Sequence, residues 1–164
     1  MSEIKFATIG TSKITKTFLS AASNVPEFKL EAVYSRNIKN AIEFGTLYNV
    51  TKFYDSLKAL AEDKTIDAVY IASPNAFHCS QAIQMMKAGK HVLCEKSLAS
   101  NKKEAEEMFR TAAENNVILL EAMRPVFDPG MDAVKASLNK LGVIRRATLN
   151  YCQYSSRYDS FLQG

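Results

Sequence analysis

His91-Val92-Leu93-Cys94-Glu95-Lys96 is a short apolar run that ends abruptly in a carboxylate and an amine. Upstream, Ala68-Val69-Tyr70-Ile71-Ala72 ends in the same manner, in Ser73-Pro74-Asn75. Runs this short, apolar without alternation, suit strands buried on both faces. Between them Ala82, Met85 and Met86 fall on one helical face, and Gly89 stands where a helix needs a left-handed last residue. The unit is therefore strand, helix, parallel strand. In such sheets ligands bind at the carboxyl ends of the strands, where these two runs place their polar residues.

The same rhythm extends in both directions. Towards the N-terminus, Ile4 to Ile9 closes on Gly10, and Ile14, Phe18, Leu19 and Ala22 make a helical face. Leu30 to Tyr34 is a second run, and Asn37 can cap a helix carrying Ala41, Phe44 and Tyr48. Lys52 to Tyr54 reads as a third strand, before a helix with Leu57 and Leu60. Towards the C-terminus, Asn101 and Glu104 resemble a capping box for a helix with Ala105, Met108 and Ala112, and Val117 to Leu120 is the sixth strand. The fold class predicted is α/β: a doubly wound parallel sheet with helices on both faces and right-handed crossovers.

The pattern changes after Arg124. Pro125 and Pro129 interrupt the chain, and Met131, Val134, Leu138 and Leu141 predict a helix ending at Gly142. Val143 to Ser155 alternates, with Ala147, Leu149 and Tyr151 on one side and Arg146, Thr148 and Asn150 on the other. That predicts one long, half-exposed strand, the first of a second domain. The tail from Arg157 shows no clear periodicity. The expected organisation is a nucleotide-binding domain over residues 1–124 and the beginning of a truncated α/β domain over 125–164.

The 164 residues are 47% hydrophobic and 23% charged, enough apolar material for a core, and the net charge of +4 is spread along the chain. No basic block points to nucleic acid, and no apolar run is long enough to span a bilayer. The N-terminus runs straight into a strand without a signal peptide. Cys79, Cys94 and Cys152 are far apart and odd in number, which suits neither a disulfide framework nor metal-ligand spacing. A cytoplasmic protein is expected, with Cys94 a buried strand thiol.

Candidate site residues cluster after the strands. Gly10-Thr11-Ser12-Lys13-Ile14-Thr15 occupies the strand-to-helix turn where a dinucleotide site takes Gly-x-Gly-x-x-Gly or Ala. Only Gly10 matches, so the motif alone reads equally as an ordinary turn, but helix N–H groups at this place attract phosphate. After the second strand, Ser35 and Arg36 stand where an NAD site places an acid, and they suit a 2′-phosphate by hydrogen bond and charge. The competing reading of Arg36 is a solvated side chain before a helix cap. Ser73, Asn75 and His78 follow the fourth strand, close to a cofactor; His78 reads otherwise as a helix-start residue with a backbone partner. Glu95 and Lys96 follow the fifth, Lys96 suited to stabilising a developing alkoxide and Glu95 to holding Lys96 or cofactor. Their structural alternative is an ion pair at a strand end. Arg124 either contacts the cofactor or braces the domain boundary.

With these pieces in place, the chain resembles the glucose–fructose oxidoreductase / inositol dehydrogenase / rhizopine-catabolism (Gfo/Idh/MocA) family. The carrying residues are Ile9 to Thr15, Ala72-Ser73-Pro74-Asn75-Ala76-Phe77-His78, Ala88-Gly89-Lys90-His91-Val92-Leu93-Cys94-Glu95-Lys96 and Glu121-Ala122-Met123-Arg124. The resemblance implies a Rossmann domain followed by a substrate and oligomerisation domain. It implies hydride transfer between NADP, or alternatively NAD, and a sugar, polyol or related carbonyl compound. It implies that Gly10, Ser12, Ile14, Ser35, Arg36, Asn75 and His78 line the cofactor site and that Lys96, beside Glu95, faces substrate. Ser12, Thr15 and Ser97 depart from the family pattern. The family's acid/base His lies beyond this chain's last residue, so the expectation is a cofactor-binding half that is inactive alone. The alternative is a non-catalytic nucleotide-binding module that pairs its orphan strand with a partner chain or a second copy of itself.

Overall fold

The computed structural model describes residues 3–155 and 158–163. The backbone divides into one unit that runs to Met123 and another that begins at Arg124.

In the first unit strands and helices alternate: β1 (Ile4–Ile9), α1 (Lys13–Ala22), β2 (Phe28–Tyr34), α2 (Ile38–Thr46), β3 (Lys52–Tyr54), α3 (Leu57–Glu62), β4 (Ala68–Ile71), α4 (His78–Lys87), β5 (His91–Cys94), α5 (Lys102–Glu114) and β6 (Leu119–Glu121). All six strands are parallel, in the order β3-β2-β1-β4-β5-β6. This is the predicted doubly wound sheet. Winding reverses between β1 and β4, and the crevice at such a reversal is where this architecture takes its ligands.

Strand pleat sorts the side chains into two cores. Ala7, Ile9, Val69, Ile71, Val92 and Cys94 face Leu60, Ala82, Met85, Met86 and Met108 of α3, α4 and α5. Phe6 and Val33 face Leu19 of α1 and Ala41 and Phe44 of α2. The helical stripes expected for α2, α4 and α5 face the core, as do Leu19 and Ala22 of α1, whereas Ile14, expected on the same face of α1, is exposed. Burying each Leu, Met or Phe contributes about 1.5–3 kcal/mol.

Local signals set the helix ends. Asn37 Oδ1 accepts from Lys39 N at 3.0 Å, and Asn101 Oδ1 accepts from Glu104 N at 3.0 Å. The return arm of the box differs from the pattern: Glu104 Oε2 takes the N–H of Ser100, at 3.0 Å, instead of that of Asn101. Gly89, with φ +81°, ends α4 as expected. Behind that turn the buried Lys90 donates from Nζ to the carbonyls of Asp63 (2.6 Å) and Ile66 (3.0 Å), tying the end of α3 to the start of β5.

The second unit holds a 3₁₀ turn (Arg124–Phe127), α6 (Pro129–Leu138), a second 3₁₀ turn (Asn139–Leu141) and α7 (Tyr158–Leu162). Asp128 caps α6, accepting from Gly130 N at 2.8 Å. The long strand predicted over Val143–Ser155 does not form. This stretch has no regular secondary structure, and Leu149 and Tyr151 are 96% and 87% exposed. Alternation specifies which face a strand would bury, but a strand also needs a neighbour to take its N–H and C=O groups. Among the described residues no strand pairs with the stretch from Val143 to Tyr154.

Candidate functional site

The site begins at the Gly10 turn. Gly10 N extends the ladder by donating to Tyr34 O (3.1 Å), and the chain then leaves the sheet with φ +109°. A Cβ built here would meet Ala72 O at 2.7 Å, so both the dihedral and the close approach of β4 demand glycine. Ser12 follows as the N-terminal flank of α1, and its side chain caps nothing. The first N–H groups of that helix therefore remain open towards the crevice. Thr15, the departure at the third motif position, is fully buried, and its hydroxyl donates to Gly10 O at 3.2 Å. It closes the turn from beneath.

A cleft of about 440 Å³ lies above this turn, at the point where the sheet reverses. Gly10, Thr11 and Ser12 form its floor, Ser35 and Arg36 one wall, Ser73 and Phe77 another. Five predicted residues (Gly10, Ser12, Ser35, Arg36, Ser73) thus come together. Ser73 Oγ donates to Gln81 Oε1 at 2.6 Å, which fixes that wall to α4. The Arg36 guanidinium lies over the Phe77 ring, 5.7 Å from its centroid. Burial pushes the Tyr34 phenol above its ordinary pKa; the Arg36 charge opposes the shift and Asp55 adds to it.

Other predicted residues sit elsewhere. Ile14 is in the first turn of α1, 43% exposed, and outside the cleft lining. Asn75 is exposed at the start of the 3₁₀ turn Asn75–Phe77. His78, expected to line the cofactor site, is fully buried beneath it. Its Nδ1 lies 2.8 Å from Ser97 O and its Nε2 2.9 Å from Ser73 O. A neutral ring donates from one nitrogen only, so one of these carbonyls takes its N–H and the other lies against the ring, which sits between the loop after β4 and the loop after β5. Arg124 is exposed at the first position of the second unit.

Glu95 and Lys96 leave the sheet at the end of β5, with Glu95 N donating to Ile71 O at 2.8 Å. The ion pair considered for them does not form. Glu95 Oε1 instead accepts from the Tyr70 hydroxyl at 2.7 Å, and Lys96 is exposed without a carboxylate partner among the described residues. Tyr70 is buried and stacked on Phe18 at 3.8 Å; burial, and then the bond to Glu95, push its phenol far above the usual range. Leu98 N donates to Glu121 Oε1 at 2.9 Å, so the loop carrying Lys96 is pinned on both sides. The Lys96–Ser97 peptide is cis. Cys94 is fully buried, with its thiol pushed up to about 12 by that burial, with Glu121 and Glu95 adding to the shift.

Tyr34, Asn40, Leu57, Phe77 and Gln81 also line the cleft and were not named as cofactor-site residues from the sequence. Only Phe77 and Gln81 carried a signal, as neighbours of His78 on one short turn and helix. Among the described residues no group of His, Cys, Asp and Glu could hold a metal ion, and no helix is long and apolar enough to cross a membrane.

Comparison with known proteins places these features in a wider set. A family model described as an oxidoreductase family with an NAD-binding Rossmann fold matches residues 4–123. The chain is 50% identical over 161 residues to scyllo-inositol 2-dehydrogenase (NADP(+)) IolU of Bacillus subtilis, covering 98% of this chain and 49% of that protein. It is 44% identical to the uncharacterized oxidoreductase YgjR of Escherichia coli, again over 98% of this chain and 49% of the relative. Among solved structures it resembles KijD10, a 3-ketoreductase from Actinomadura kijaniata in complex with TDP-benzene and NADP. The TM-score is 0.80 at 30% identity, covering 87% of this chain and 45% of that one. The chain spans about half the length of the curated relatives it matches.

Proposed function

Because the chain belongs to the Gfo/Idh/MocA family of oxidoreductases with an NAD-binding Rossmann fold, we propose that it is the cofactor-binding half of an NADP-dependent dehydrogenase of polyols. The observation that carries this reading is the pairing of Ser35 and Arg36 on one wall of the cleft above the Gly10 turn, with no carboxylate at that strand end. A hydroxyl and a guanidinium there suit a 2′-phosphate, where an acid would favour the bare ribose. The NADP named for IolU and for the KijD10 complex supports the same preference, and the inositol in the name of IolU supports a cyclic polyol as substrate class.

The cleft fits a dinucleotide. The Gly10 turn leaves room that a Cβ would fill, and the uncapped start of α1 offers N–H donors to a pyrophosphate. Ser12 adds a hydroxyl donor at that place, and Ser73 lines the site from the β4 side. When bound, the nicotinamide supplies the hydride acceptor or donor. Lys96 holds its ammonium beside the substrate oxygen and stabilises the charge that develops there. Glu95, fixed by Tyr70, positions the loop from which Lys96 projects. His78 acts as a positioning residue for the same loop.

In this reading the chain alone turns over negligibly. The three free thiols suit a reducing cytoplasm. Titration with NADPH and, separately, NADH, read by nicotinamide fluorescence, tests the proposal. Saturable binding that favours NADPH is expected, and Ser35→Asp should reverse the preference. Equal affinity for the two, or binding of neither, would refute the NADP assignment. Steady-state oxidation of a polyol by this chain alone would refute its inactivity.

A further inference from the structure

We propose that Phe77 determines cofactor specificity: its ring holds the Arg36 guanidinium at the cleft, where a 2′-phosphate is recognised. The inference rests on the NADP reading above and adds a residue to it. Arg36 and Phe77 come from the ends of β2 and β4, with β1 between them, so their contact spans the Gly10 turn. The two partners differ in stiffness. Phe77 sits on a short turn held by its own N–H to Pro74 O (2.9 Å) and by Ser80 Oγ donating to its carbonyl (3.1 Å). The next residue is the buried His78, whose ring sits between the Ser97 and Ser73 carbonyls. Arg36 is a long side chain that forms no salt bridge among the described residues.

A free arginine loses considerable rotamer freedom when it engages a phosphate. Contact with an aromatic face removes part of that freedom beforehand and leaves the guanidinium N–H donors unspent, because the attraction uses the ring quadrupole and no hydrogen bond. Those donors are the ones a phosphate takes. The arrangement also accounts for a phenylalanine that is 40% exposed on the wall of a polar cleft.

The test compares the full chain with Phe77→Leu and Phe77→Tyr, each titrated with NADPH and with NADH. Leucine keeps apolar bulk and loses the ring; tyrosine keeps the ring. Phe77→Leu should lower the preference for NADPH over NADH by about two- to five-fold, through weaker NADPH binding alone. Phe77→Tyr should retain the wild-type preference. An equal loss of both cofactors in the leucine variant would mean that Phe77 serves the adenosine part or the fold, and would overturn the proposal. So would an unchanged ratio. A wild-type chain without preference for NADPH would first refute the NADP reading, seen without any variant, and this inference would fall with it.

Discussion

The Tyr70 hydroxyl donates to Glu95 Oε1 at 2.7 Å, linking the middle of β4 to the first residue beyond β5. Tyr70 pairs with Leu93 in the sheet, and Glu95 follows two residues on, so both project from the same face. The phenol is buried and its ring is stacked on Phe18. The carboxylate beside Lys96 is therefore held by the sheet, and the Lys96 amine is exposed.

Tyr70→Phe removes that bond and keeps the aromatic stack. A hydrogen bond to a charged group contributes about 1.5–3 kcal/mol, so urea denaturation at neutral pH should report a loss of that order. Unchanged stability would show that Glu95 finds an equivalent donor.

Gly10→Ala tests the turn. At φ +109° any side chain is strained, and the added Cβ would face Ala72 O at 2.7 Å. We expect a loss of about 1–3 kcal/mol in stability and no measurable NADPH binding. Full affinity in this variant would contradict the placement of the pyrophosphate at this turn.

The strands, their parallel sense and the helical stripes were legible because each is a local pattern: short apolar runs, a 3.6-residue period, Asn and Gly at helix ends. The site's floor and part of each wall were legible too, since Gly10, Ser35 and Ser73 follow closely on strand ends. What escaped were pairings between residues distant in sequence. Nothing near His78 says that its ring will meet Ser97 O, nor does anything near Arg36 point to Phe77. Thr15 departs from the motif, but the motif gives its spacing and not the depth at which it lies, which is full burial. Val143–Ser155 shows the converse: the alternation is present, but pairing depends on another segment.

Acid should weaken this fold through Asp63. Burial alone would raise its carboxyl, but hydrogen bonds from Thr65 N (2.8 Å), Thr65 Oγ1 (2.7 Å), Tyr54 OH (2.8 Å) and Lys52 Nζ (3.3 Å) outweigh it and hold the group well below the usual carboxylate range. A folded-state pKa below the unfolded one gives stability that is present above the unfolded value of about 4 and is lost as pH falls below it. Wild-type stability should therefore decline steeply from about pH 5 downwards. Asp63→Asn should be less stable at pH 7 and should decline less steeply, as urea midpoints across pH 3–7 would show, a range set by the carboxylate values.

His78→Phe separates support from ligand binding. Phenylalanine retains the volume of the buried ring and loses both contacts, to Ser73 O and Ser97 O. If His78 positions the two loops, the variant should lose about 1–3 kcal/mol in urea denaturation, and backbone amides from Glu95 to Leu98 should exchange faster with solvent. NADPH affinity should then fall less than stability does, since the cleft lining contains Ser73 and Phe77 but not His78 itself. The opposite result, intact stability and amide protection with lost affinity, would return His78 to the role of a cofactor ligand. It would also require the ring to leave its buried seat between the carbonyls, a rearrangement visible as a change in the chemical shifts of Ser73 and Ser97 on binding.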